Sequence, residues 1–150
     1  MLVRDAMTTD VVTAAADASV REAVGRMLRA GVGSVVVTRE GNPAGILTET
    51  DALKAGYHAE RPFGEIPVSK AATDSLVTTS PGTTIRGAVR QMRENDVKKL
   101  PVVDGMEIVG MLTMTDVVRA QENLVDEAVR LEERRQGWTS EGKSWGGDDD

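Results

Sequence analysis

The sequence predicts an α/β (α+β) protein: two tandem β-α-β-β-α repeats packed as a pseudo-two-fold pair with small mixed sheets. Three observations predict it. The chain repeats itself without a gap, its apolar periodicity switches between strand and helix in the same order twice, and turn chemistry recurs at matching places. Shifted by 65 residues, Gly45-Ile46-Leu47-Thr48-Glu49-Thr50-Asp51 lies on Gly110-Met111-Leu112-Thr113-Met114-Thr115-Asp116, and the 53 positions from Val3 to Ala55 contain 17 identities. Such a duplication governs every later reading of a fold. Two copies of about 55 residues are each too small to bury much surface alone, so they are expected to share a core.

The elements follow in order. Val11-Val12-Thr13 is a short strand candidate. Ser19 caps a helix whose Val20, Ala23, Val24, Met27 and Leu28 share one apolar face, and Gly31 ends it. Ser34 to Thr38 is a Val-rich strand, Glu40-Gly41-Asn42-Pro43 a turn, and Ala44 to Leu47 the next strand, with a helix from about Thr50. In the second copy Thr84 caps a helix bearing Ile85, Ala88, Val89 and Met92. Leu100 to Val103 and Ile108 to Leu112 are strands joined through Asp104-Gly105, a strong hairpin signal. These elements place repeat 1 at residues 1–57, a linker with Pro62, Gly64 and Pro67 at 58–67, and repeat 2 at 68–121. A helical extension follows at 122–135, marked by Leu124, Val125, Ala128 and Leu131, and a Gly-, Ser- and Asp-rich tail without structure is expected at 136–150.

Composition narrows the function. The net charge of −6 argues against nucleic acid and against an anionic membrane surface as partners. No cysteine is present, which excludes disulfides and thiolate metal sites. No apolar run approaches the roughly 18 residues of a membrane span, and the first residues do not read as a signal peptide, so a cytoplasmic location is expected. Catalysis would need a nucleophile or general base near a substrate. The lone histidine, His58, falls in an expected loop, so no residue is assigned a catalytic role and none a metal-ligating one.

The repeated Gly-apolar-Leu-Thr-x-Thr-Asp carries the chemistry. A strand ends there and a helix begins, and a helix N-terminus with unpaired amides and partial positive charge seats a phosphate well. The hydroxyls of Thr48 and Thr50, or of Thr113 and Thr115, can donate to the same oxygens. Asp51 and Asp116 would repel phosphate and fit better as acceptors for the vicinal hydroxyls of a ribose. A purely structural reading uses the same residues, since Thr-x-x-Asp is a capping-box variant. The two readings are compatible, because a capped helix still presents its end.

The double β-α-β-β-α plan and the two Gly-h-h-Thr-x-Thr-Asp segments resemble the tandem CBS domain, the cystathionine β-synthase type module. Leu100-Pro101-Val102-Val103-Asp104 matches that family's characteristic strand, and the resemblance spans about Val3 to Gln121. It implies a cleft between the repeats that binds an adenine nucleotide (AMP, ADP or ATP) or S-adenosylmethionine, in some relatives with Mg²⁺. It implies Asp51 and Asp116 at the ribose, with Thr48, Thr50, Thr113 and Thr115 near phosphate. Early-strand residues Val12, Thr13, Val77 and Thr78 would flank the base. Lys98 and Lys99 stand where some relatives carry basic residues facing phosphate, and because pockets mix repeats they would serve the site of Thr48 and Asp51. Glu49 counts against a polyphosphate there, whereas its counterpart Met114 is neutral, so the two sites are not expected to be equivalent. The output implied is conformational, delivered by a homodimer to a regulated protein that the residues do not name. The alternative is a CBS pair that only dimerises or scaffolds.

Overall fold

The computed structural model describes residues 1–73 and 76–143. It divides into two compact units, residues 1–113 and the chain from Met114 onward. Within the first, α1 (Val3–Ala6) precedes β1 (Thr13–Ala15), α2 (Val20–Ala30), β2 (Ser34–Arg39), β3 (Asn42–Thr48) and α3 (Glu49–Ala59). The second copy opens with α4 (Val68–Ala71) and continues through α5 (Ile85–Asn95), β4 (Lys99–Asp104) and β5 (Glu107–Thr113). The second unit is the helix α6 (Met114–Lys143).

The helices start and stop where the residues dictate. Ser19 and Thr84 occupy matching N-caps and accept from the amides of Glu22 at 3.1 Å and Gly87 at 3.0 Å. Gly31 closes α2 in the left-handed conformation, φ 67°. Val20, Ala23 and Met27 of α2 are buried, as are Ala88 and Met92 of α5. Leu28, expected on the same apolar face, is 78 % exposed instead, because it lies at the margin of that stripe beyond the buried row.

The sheets are small and mixed. β1 runs parallel to β2, β2 antiparallel to β3, and β4 antiparallel to β5. Both hairpins shift register at the same point, after Val37 and after Val102, so the duplication extends to the bulge. Among the described residues of the second copy no full strand corresponds to β1. In the first copy the amide of Val36 donates to Val12 at 3.0 Å. Its equivalent is Pro101, which has no N–H to give. The parallel pairing there shrinks to the single bridge between Thr79 and Val102.

The segment leading into each copy docks on the other copy. The amide of Val3 donates to Thr83 and that of Val68 to Ala18, both at 2.8 Å. Thr8 exchanges two bonds with Met111, and Thr73 donates to Ile46 at 3.1 Å. Each pair of bonds is related by the 65-residue shift. Val68 accordingly sits fully buried in the first copy's core among Ala14, Met27, Val35, Val37 and Leu47. This exchange requires the motif glycines. A Cβ on Gly45 would strike the Thr73 carbonyl, and one on Gly110 would lie 2.9 Å from the Thr8 carbonyl and 2.7 Å from the Met7 sulfur.

Three expectations are corrected. The sequence reading starts each repeat with a strand, but short helices at Val3–Ala6 and Val68–Ala71 come first, because these segments pack on the opposite copy. The stretch 58–67 is not a free linker: α3 runs to Ala59, Phe63–Glu65 forms a 3-10 turn, and Ile66 is buried, accepting from the Val20 amide at 2.8 Å. Gly56 leaves room for the Phe63 ring, whose edge would lie 2.8 Å from a Cβ there. The final helix, expected to end near Arg135, continues through Gln136 to Lys143, since extending an established helix adds one hydrogen bond per residue fixed. The rest of the expected tail, 144–150, lies outside the described residues.

Candidate ligand-binding site

The end of β3 delivers Thr48 in extended conformation, φ −101° and ψ 169°, and α3 begins at the next residue. Thr48 Oγ1 accepts from the Asp51 amide at 3.2 Å, and Asp51 Oδ2 accepts from the Thr48 amide at 2.9 Å. This is a closed capping box, which meets two otherwise orphaned donors. The box uses the Thr48 hydroxyl as an acceptor, so its hydrogen can still be donated. It uses Oδ2 of Asp51, so Oδ1 can still accept from a sugar hydroxyl. The Glu49 amide donates to the Gly33 carbonyl at 3.1 Å. Two of the first three amides of α3 are therefore engaged, and positive charge for an anion must come largely from side chains.

Those side chains come from the second copy. Asp96, in left-handed conformation (φ 52°), ends α5, and the Val97 amide donates back to Met92 at 2.9 Å. This tight exit carries Lys98 and Lys99 to the start of β4, where Lys99 pairs with Thr113. A cavity of about 460 Å³ results. The first copy lines it with Gly33, Ile46 and the turn Thr48-Glu49-Thr50-Asp51, and the second with Thr73, Val97, Lys98 and Lys99. Its volume falls in the range of small-molecule sites. Its formal charges cancel, two lysines against Glu49 and Asp51.

Of the residues singled out from the sequence, Thr48, Thr50, Asp51, Lys98 and Lys99 meet in this cavity. Val12 packs against the first core cluster, and Thr13 pairs with Val36 while its carbonyl accepts from Arg26 at 2.9 Å. Val77 and Thr78 are half-buried, and the Thr78 carbonyl accepts from Gln91 at 3.1 Å. These four lie outside the lining of this cavity. In the second motif Thr113 closes β5, while Thr115 and Asp116 fall in the first turn of α6, Thr115 exposed and Asp116 buried. Gly33, Ile46, Thr73 and Val97 are lining residues that sequence reasoning missed. Thr73 left a trace, since it matches Thr8 in the internal alignment, but its place depends on the exchange of leading segments. Among the described residues no three His, Asp or Glu side chains gather as a metal site.

The sequence matches the CBS domain family twice, over residues 3–58 and 65–123. The chain belongs to the CBS domain family. It is 32 % identical over 116 residues to the CBS domain-containing protein YhcV of Bacillus subtilis, covering 77 % of this chain and 81 % of that one. The CBS-domain protein ATU1752 of Agrobacterium tumefaciens superposes with a TM-score of 0.73 at 30 % identity, over 81 % of this chain and 99 % of that one. The CBS domain pair of protein MJ0100, crystallised with 5′-methylthioadenosine and S-adenosyl-L-methionine, superposes with a TM-score of 0.74. The superposition covers 82 % of this chain and 97 % of that one, and at 22 % identity the likeness is one of fold alone. The repeat expected from the sequence is thus a CBS pair. No helix among the described residues is long and apolar enough to cross a membrane.

Proposed function

We propose that this CBS pair binds an adenine nucleotide or another adenosyl compound, AMP, ADP, ATP or S-adenosylmethionine, beside Thr48 and Asp51, and passes the binding event to a partner protein as a conformational change. One observation carries the reading: hydroxyl, carboxylate and ammonium groups from both copies line a single cavity of ligand size. The Thr48 and Thr50 hydroxyls and the two lysines suit phosphate or carboxylate, and Asp51 suits a ribose diol. The adenosyl ligands of the MJ0100 pair support the same class. Mg²⁺, where it takes part, would arrive on the phosphates of a nucleotide. The reading contains no catalytic step.

Because the cavity draws on both copies, a ligand spanning it couples the α3 junction to the α5–β4 junction. For the relay we propose a homodimer. α2 and α3 pack together and expose Leu28, Leu53 and Tyr57 at 78 %, 69 % and 80 %. Large apolar side chains left exposed on neighbouring helices are the kind that self-association covers. A second reading, a CBS pair without ligand, is favoured by the closed capping box, which gives Thr48 and Asp51 a structural role.

A thermal-melting panel of adenosyl compounds separates the two. A ligand at 100 times its dissociation constant adds about 2.7 kcal/mol, roughly 5–10 °C for a chain of this size. Absence of any shift at millimolar AMP, ATP or S-adenosylmethionine leaves only the structural reading.

A further inference from the structure

We infer that Glu49 makes the cavity selective for a nucleoside monophosphate over the corresponding triphosphate, with Gly33 holding the space its carboxylate needs. This rests on the adenosyl-ligand reading above and names the ligand class more closely. Built onto Gly33, a Cβ would lie 2.9 Å from Glu49 Oε1 and 3.5 Å from Lys99 Nζ. A carboxylate and an ammonium therefore converge on one bare backbone position at the cavity wall. An anion drawn to Lys99 would also meet the field of the Glu49 carboxylate. One phosphate fits between Thr48, Thr50 and the lysines, where two positive side chains meet two negative charges. The β- and γ-phosphates of a triphosphate would add about two further charges beside the Glu49 carboxylate, where like charges at close range repel, by about 1 kcal/mol per pair at 4 Å because Glu49 is exposed to water.

The glycine is part of the device. Gly33 does not adopt positive φ, so an alanine there meets no backbone strain, and its methyl group would press only on the flexible ends of Glu49 and Lys99. Gly33→Ala should displace the Glu49 carboxylate and leave the fold intact. The corresponding position in the second copy is Lys98, and Met114 corresponds to Glu49, so the second copy does not repeat this glycine and carboxylate.

The test is titration calorimetry of the full chain with AMP and with ATP, in the absence of divalent cations, for the wild type, Glu49→Gln and Gly33→Ala. The expected wild-type result is AMP tighter than ATP by about tenfold or more. Glu49→Gln brings the two affinities within about threefold, mainly by strengthening ATP, and Gly33→Ala moves the ratio in the same direction with an unchanged melting temperature. A wild type that binds ATP as tightly as AMP, or a Glu49→Gln ratio equal to the wild type's, overturns the selectivity while leaving adenosyl binding in place. Failure of AMP, ATP and S-adenosylmethionine alike to bind overturns the underlying ligand reading, and this inference with it.

Discussion

Gly45→Ala tests the exchange of leading segments at its tightest point. Gly45 pairs with Val37 across β2 and β3, and the backbone of Thr73 crosses directly over it. A methyl group cannot share that space with the Thr73 carbonyl, and neither partner is a flexible side-chain tip that could swing away. Overpacking of this kind costs about 1–3 kcal/mol. If Thr73 lifts, its amide bond to the Ile46 carbonyl at 3.1 Å is lost as well, a net of about 0.5–1.5 kcal/mol. The sum is roughly 2–4 kcal/mol, or about 4–16 °C in melting temperature at 2–4 °C per kcal/mol. Gly82→Ala is the control: nothing lies within 4 Å of its added Cβ and its φ is not positive. It should be neutral or slightly stabilising. Differential scanning calorimetry of both variants decides the matter. A Gly45→Ala protein melting within about 2 °C of the wild type would show that Thr73 does not press on the strand, and the account of the motif glycine would fail.

Three other outcomes are expected. Thr48→Ala opens the capping box and should lower stability by about 1 kcal/mol in urea unfolding, with a weakened response to any adenosyl ligand; an unchanged ligand response would assign Thr48 to capping alone. Replacing Lys98 and Lys99 together by Ala should weaken a phosphate-bearing ligand by about tenfold or more, with a flatter dependence on salt, and affect adenosine itself little; equal loss for both ligands would place the lysines away from phosphate. Leu53→Asp puts a charge on the exposed α2–α3 face, so light scattering should report the 16.0 kDa monomer where the wild type is a dimer; a wild-type protein that is itself monomeric removes the dimer proposal.

The amino-acid sequence by itself determined the duplication, the fold class and the hairpins and central helix of each copy. These depend on short-range physics: capping hydroxyls at Ser19 and Thr84, apolar spacing along α2 and α5, Asp104-Gly105 at a hairpin, and hydrophobic strands beside turn residues. Residue type singled out Thr48, Thr50 and Asp51, and the family resemblance singled out Lys98 and Lys99; all five line one cavity. What only the tertiary structure decided is which residues meet across long separations. Thr73 reaches Ile46 because the leading segment of one copy docks on the other, and no periodicity within that segment reports its destination. Pro101 silences a strand pairing through an amide it lacks, an effect visible only beside its partner strand. The charged tips of Glu49 and Lys99 approach Gly33 from α3 and β4, and that approach is a property of packing.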